Sequence, residues 1–342
     1  MALKSREIAT ALNLSPATVS LVLNNKPGVG EDTRRRVLDY VAEMGYDANA
    51  LKKPALRNHR SIRFVVYKKH GLVVSDTPFF SALIEGIEQE ARREGYNLVV
   101  SYLNEKENAA EVLRVIQDNP LDGILLLATE MDSGDLKPFL ALGCPLVALD
   151  SRFPGLAVDS VQIDNHMGAA QAARRLMEAG HTSIGYLHSA VWIRNFEERR
   201  EGFLSALEQA GVAFDPRWLI NLESTLDGAA RDMAAAIEDM QDLPTAFFAD
   251  NDLIALGAIK ALRERGFSIP GDVSVVGFDD MPFCEMLDPP LDTVRVFKQR
   301  MGMVAVRRLI DRIAAQPEET IRVEVATELV RRGSVKEIPS EK

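Results

Sequence analysis

TAFFADNDLIALGAIKALRERGFSIPGDVSVVGFDD, Thr245 to Asp280, alternates two kinds of apolar pattern. TAFFAD and VSVVGFD are short continuous apolar runs ending in a carboxylate, as expected of strands buried on both faces. ALGAIKALRERG between them carries helical periodicity and stops at a glycine. A strand, a helix and a second strand in this order form a parallel crossover unit. The same reading extends outward on both sides. IRFVVY, NLVVSYL, GILLLA, PLVALD, SVQID and SIGYLH read as further strands. FFSALIEGIEQEARREG, EVLRVIQDN, GAAQAARRLMEAG, EERREGFLSALEQAG and AARDMAAAIEDM read as helices between them. The fold class is therefore α/β. About 280 residues from Ile62 onward exceed one such sheet, so two doubly wound parallel-sheet halves are expected, with a ligand cleft at the carboxyl ends of the strands.

The first 46 residues differ in kind and read as three short helices. Ile8, Ala9 and Leu12 share a face of the first. The second begins SPATVSLVLNN, with Ser15 as N-cap and Pro16 at the first helical position. Val19, Val22 and Leu23 form its buried stripe, which leaves Pro16, Ala17, Ser20, Leu21 and Asn24 facing out. The third runs from about Glu31 to Met44, with Val37, Leu38, Val41 and Met44 inward. Two helices joined at Asn13-Leu14 and followed by a packing helix match a helix-turn-helix, and from pattern alone a ligand-free three-helix bundle remains open. Residues 47–61 read as a linker.

Charge sharpens the division. Residues 1–60 hold ten Lys/Arg and six Asp/Glu, a net +4, so a total of −10 leaves −14 on the rest. A basic head on an acidic body suits a head that meets a polyanion. No apolar run of about 18 residues is present, so no membrane span is expected, and the first residues lack a secretory pattern. Cys144 and Cys284 lie far apart without metal-ligand spacing and are expected as buried thiols of a cytoplasmic protein. GVGEDT does not complete GxGxxG, GxxxxGK[ST] is absent, and the histidines form no metal spacing, so neither an enzyme nor a cofactor or metal site is expected.

SPATVSLVLNN followed by TRRRVLDYVAEMGY resembles the head of the LacI/GalR family of bacterial transcription regulators. The resemblance continues through VQIDNHMGAAQAARRLMEAGHTSIGYLH, EERREGFLSAL, the stretch quoted first, and PPLDTVRV. It implies a helix-turn-helix head (1–46), a hinge (47–61) and a core (62–342) similar to type I periplasmic sugar-binding proteins. The expected N-subdomain covers about 62–163 and 293–323, and the C-subdomain about 164–290 and 326–337. Crossings are expected near Ile163–Asn165, Pro290–Thr293 and Arg322–Ala326. The implied function is a repressor whose affinity for a pseudo-palindromic double-stranded operator is controlled by a small effector, most simply a sugar. A homodimer is implied. A solute-binding protein of the periplasmic type is the alternative, and the basic head argues against it.

The resemblance also assigns residues. Base reading falls to Pro16, Ala17 and Leu21, and backbone contacts to Thr18, Ser20 and Asn24. Leu21 stands where the family usually has Arg, so a guanine contact gives way to a thymine methyl or a shape filter. Asn49 begins the expected hinge helix, Leu51 or Leu56 is the expected minor-groove wedge with Leu56 favoured, and Lys52, Lys53 and Arg57 lie near phosphates. Asp150, Arg199, Asn251 and Asp279 are the expected effector contacts, with Phe79 and Phe80 against the ligand. Asn195, Thr129, Trp192 and Ser224 are further candidates. Lys68, Lys69 and His70 end a strand and are expected near the cleft, where they could attract an anionic effector.

Overall fold

The computed structural model describes residues 5–23, 28–44, 60–74, 78–106, 109–238, 240 and 242–339. The chain forms two compact units, Met1–Arg60 and Ser61–Lys342. In the first, α1 (Ser5–Leu12), α2 (Pro16–Leu23) and α3 (Glu31–Glu43) enclose Ile8, Ala9, Val19, Val22, Val37 and Val41. Asn13 adopts a left-handed φ of 52°, and the Leu14 N–H donates back to the Ala9 carbonyl at 2.9 Å. That six-to-one bond ends α1 and sets the tight turn. Ser15 Oγ accepts from the Thr18 N–H at 3.0 Å, which caps α2. Leu12, Leu23 and Leu38 are partly buried against this core. Met44, expected inward, is 53% exposed because α3 ends at Glu43, one residue before it.

The second unit runs β1 (Arg60–Lys68), α4 (Pro78–Arg93), β2 (Tyr96–Asn104), α5 (Ala109–Asp118), β3 (Gly123–Leu127), α6 (Ser133–Leu140), β4 (Leu146–Leu149) and β5 (Asp159–Ile163). It continues with α7 (Asn165–Glu178), β6 (Ile184–Ser189), α8 (Arg194–Gln209), β7 (Leu219–Leu222), α9 (Leu226–Ala236), β8 (Ala246–Ala249), α10 (Asp252–Glu264) and β9 (Ser274–Asp279). It ends with β10 (Asp292–Arg295), α11 (Lys298–Ala315), β11 (Arg322–Val325) and β12 (Glu328–Val330). Two six-stranded sheets result, ordered β11-β5-β4-β3-β1-β2 and β12-β10-β9-β8-β6-β7. The ladders β1–β3, β3–β4, β4–β5 and β5–β11 are parallel, as are β6–β7, β6–β8, β8–β9 and β9–β10. Only β12 is antiparallel, to β10, among the ladders described. GILLL of β3 and LVAL of β4 are buried throughout, as parallel strands covered on both faces require. The strand order reverses beside β1 in one sheet and beside β6 in the other. These are the switch points where side chains from several strand ends converge.

The chain leaves the first lobe after β5. The second crossing comes later than the expected Pro290–Thr293. β10 stays in the second sheet, because the buried Asp292 carboxylate accepts from Arg175 Nε at 3.1 Å and from the Arg332 and Ser334 N–H groups. The chain then enters α11, which packs on the first sheet through Arg308 and Arg312 on the buried Asp159. The third crossing begins after Val325, the last residue of β11 to pair with β5, and β12 resumes in the second sheet at Glu328.

Candidate functional site: the interlobe cleft

A cavity lies where the carboxyl ends of both sheets face each other. Thr129 follows β3, Asp150 follows β4, Ser224 follows β7, Asn251 follows β8 and Asp279 ends β9. Asn195 and Arg199 come from the first turns of α8, and Phe79 and Phe80 from the first turn of α4. Strand ends place polar groups here because the backbone stops pairing with its neighbours at that edge and the next residue turns toward the cleft.

Arg199 is the pivot. Its guanidinium lies 3.7 Å from the centroid of Phe278 and is almost wholly buried. Nε donates to Asn165 Oδ1 at 2.9 Å, Nη1 to the Asp250 carbonyl, and Nη2 reaches Asp279 Oδ1 at 3.5 Å. The planar fork is thus fixed on three sides, with the long contact to Asp279 the easiest to exchange for a ligand oxygen. Asp279 and Asp150 take left-handed φ values of 110° and 63°. Such backbone is costly outside glycine and is held by the surrounding structure.

Asp150 is buried, with Oδ2 accepting from Thr129 Oγ1 at 2.7 Å and Oδ1 from Asn195 Nδ2 at 3.0 Å. Burial pushes its carboxyl up to about 7. Thr129, Arg199 and Asn195 oppose that rise, while the charge of Asp279 adds to it. Burial also raises Asp279, against the pull of Arg199 and Lys298. Asn251 caps α10, its Oδ1 accepting from the Ile254 N–H at 2.8 Å, so its amide nitrogen is the group left for a ligand. The rings of Phe79 and Phe80 meet edge to face with centroids 5.0 Å apart. The cavity therefore offers two carboxylates, a guanidinium, amides and aromatic faces, a set that grips a small polyhydroxylated molecule with an apolar side.

Of the expected effector residues, Phe79, Phe80, Asp150, Asn195, Arg199, Asn251 and Asp279 line this cavity, together with Thr129 and Ser224. Trp192 does not, and is half exposed. Lys68, expected in the cleft, is a correction. It lies over the Tyr102 ring, 5.9 Å from the centroid, because that end of β1 turns its side chain toward β2. Lys69 is held by Asp132 and Asp135 at 2.8 Å each, and His70 Nδ1 lies 3.2 Å from Glu130. The positive charge of Lys69 is answered locally.

Val73, Ile193, Phe196, Leu253 and Met281 also line the cavity and were not singled out from sequence. Glu130 was missed too. Its fully buried carboxylate accepts from the N–H groups of Lys69, His70, Gly71, Val73 and Val74 at 2.8–3.0 Å. Nothing in the sequence pattern marks it, since its partners are backbone groups about sixty residues away.

In the head, Pro16 and Ala17 are exposed on α2, and Thr18, Ser20 and Leu21 are half-buried. Asn24, Asn49, Leu51, Lys52, Lys53, Leu56 and Arg57 lie outside the described residues. Cys284 is buried as expected, while Cys144 is only half-buried. Among the described residues no helix is long and apolar enough to cross a membrane, and no cluster of His, Cys, Asp or Glu could hold a metal ion.

A helix-turn-helix unit carried on the same chain as a doubly wound, two-lobed ligand cradle defines the class: a DNA-binding transcriptional regulator. The sequence matches the bacterial regulatory proteins of the lacI family over residues 6–49 and the periplasmic binding protein-like domain over 173–335. It is 32% identical over 339 residues to the transcriptional repressor PurR of Mannheimia succiniciproducens, covering 97% of this chain and 98% of that protein. It is 30% identical to the ribose operon repressor of Haemophilus influenzae over 93% of each chain. Among solved structures, the transcriptional regulator CelR in complex with cellobiose superposes with a TM-score of 0.73 at 28% identity, over 97% of this chain and 100% of that one. A LacI family regulator from Enterococcus faecium with bound ribose gives 0.70 at 25% identity, over 81% and 100%. The chain belongs to the LacI family of bacterial regulatory proteins.

Proposed function

We propose that this protein is a cytoplasmic repressor whose operator affinity is set by a sugar or sugar derivative bound in the interlobe cleft. The observation that carries the reading is the convergence of Asp150, Arg199 and Asp279 beside the Phe79–Phe80 pair in one cavity. Carboxylates accept from adjacent hydroxyls, the guanidinium donates to ring or hydroxyl oxygens, and aromatic faces cover the C–H side of a pyranose or furanose. A planar purine would use the rings and offer its few in-plane N–H donors to the carboxylates, where a sugar offers hydroxyls around its whole rim. The relatives that carry cellobiose or ribose support the sugar reading, and the likeness to PurR makes a purine the rival.

The head reads DNA through the outward face of α2, with Pro16, Ala17 and Leu21 toward base edges and Thr18, Ser20 and Asn24 toward phosphates. Asn49, Lys52, Lys53 and Leu56 complete the contact in the hinge. One such head covers half a site, so a homodimer on a pseudo-palindrome follows. The test is a thermal-shift screen of pentoses, hexoses, disaccharides and purine bases. The best hit is then added to a salt-series gel shift on genomic fragments. A sugar that raises Tm and changes the affinity of a salt-sensitive, sequence-specific complex bears the proposal out. A purine hit with no sugar hit overturns the effector class, and equal binding to all duplexes overturns the DNA reading.

A further inference from the structure

A second cavity, of about 200 Å³, opens at the amino ends of β1 and β3, the opposite end of the first sheet from the cleft. Ile116, Leu121, Ile124 and Leu142 give it apolar walls. The one charged group in the lining is Arg63, only 6% exposed. Nη1 donates to Ser101 Oγ at 2.8 Å and Nη2 to the Asn119 carbonyl at 3.3 Å. Both acceptors are neutral, and among the described residues no carboxylate pairs with it. Other buried arginines of this lobe answer to acids, as Arg308 does to Asp159. Burial lowers the Arg63 pKa without any offsetting carboxylate. A guanidinium stays charged even so, and a buried cation without a counter-charge is costly. The site is therefore electrostatically set for an anion, and its apolar walls accept an apolar body.

We infer that the Arg63 cavity is a second ligand site, separate from the cleft, for a small monocarboxylate with an apolar body. The guanidinium fork meets a carboxylate through two parallel hydrogen bonds, and Ser101 and Asn119 hold that fork in place. A sugar phosphate fits poorly, because its hydroxyls would face the apolar walls unpaired.

Cys144 lines this cavity and is half-buried, whereas Cys284 is fully buried, so thiol labelling reports the site directly. The full chain is treated with a small methanethiosulfonate in the presence of benzoate or of benzamide, its neutral counterpart. Benzoate is expected to slow labelling of Cys144 and to bind saturably by calorimetry, and benzamide to do neither. Arg63→Met is expected to weaken benzoate at least about tenfold, the scale of a lost charged hydrogen bond. Leu121→Trp keeps the charge, fills the cavity and is expected to abolish protection, which supplies an arm if Arg63→Met does not fold. Equal protection by both compounds overturns the inference. So does unchanged labelling with benzoate up to about 10 mM, weaker than a specific site would bind.

Discussion

Glu130 shows how much one side chain organises beside the cleft. Burial alone would lift its carboxyl, but the His70 ring and the N–H groups of Val74, Gly71 and His70 hold it down at about 2. Against an ordinary value of 4.5, a shift of that size corresponds to about 3 kcal/mol of folding stability. The carboxyl is depressed in the folded state, so this contribution is present above about pH 4.5 and is lost as pH falls toward 2. Glu130→Gln should therefore lower stability in urea by about 3 kcal/mol at pH 7. The difference from the parent should shrink steadily below pH 4.5, and a gap constant with pH would refute the assignment. The same variant should weaken effector binding, since the loop that Glu130 ties presents Val73 to the cavity. Asp150 carries the opposite shift. With its carboxyl near 7, a ligand that donates hydroxyls to the ionised form must displace a proton below that pH. Effector Kd should rise by up to about tenfold per unit below pH 7 and level off above it. Asp150→Asn should bind weakly at every pH, and calorimetry from pH 5.5 to 8.5 that shows the same slope in both proteins would assign it elsewhere.

At the scale of elements, two helix pairs pack backbone to backbone through glycine. A Cβ at Gly202 of α8 would lie 2.1 Å from the His166 carbonyl of α7, and one at Gly86 of α4 would lie 2.1 Å from the Gln299 carbonyl of α11. Neither obstacle is a flexible side chain, so Gly202→Ala and Gly86→Ala must push helices apart. Each should cost about 1–3 kcal/mol, read as a fall in Tm of the core transition. Ser15→Ala removes the cap of α2 and should cost about 1 kcal/mol in the head. These elements differ in how plainly the sequence announces them. β3, β4, β8 and β9 are runs of four or more buried apolar residues, a pattern local to the strand. The caps and cleft carboxylates at their ends, Asp150, Asn251 and Asp279, follow from strand position combined with family likeness. DTVR of β10 and RVEV of β11 escaped notice because their polar side chains are satisfied from afar. Asp292 is neutralised by Arg175 of α7, more than a hundred residues away, and Glu324 accepts from Gln162 at 2.6 Å. The late second crossing has the same origin. Lys68 and Lys69 looked available for a ligand because a sequence shows charge at a strand end without showing the ring and the two aspartates that engage it.

Across the core as a whole, the lobes already touch through side chains on opposite sides of the cleft. Asn195 of α8 donates to Asp150 of the first lobe, and Arg152, just beyond it, pairs with Glu198 of α8 at 2.5 Å. Lys298 at the start of α11 donates to the Asp279 carbonyl of the second lobe and sits 5.6 Å from the Phe79 ring centroid. These contacts can hold only while the lobes stay close. An effector in the cleft shifts the lobe equilibrium by its difference in affinity for the two arrangements, and the head feels only that shift. Arg152 does not line the cavity, so Arg152→Ala leaves the ligand's own contacts intact while removing one interlobe bond. The arginine is 40% exposed, which limits the pair to about 1 kcal/mol, or about a fivefold change in the equilibrium. Effector Kd should therefore rise two- to fivefold, and operator affinity in the absence of effector should move by a similar factor. Arg152→Lys, which keeps the charge, should recover much of both. Effector calorimetry and operator titration on the same preparations measure the two quantities. If Arg152→Ala moves effector Kd and leaves the operator untouched, lobe closure is not what the head reads. If it moves neither, the arrangement seen here is not one of two competing states.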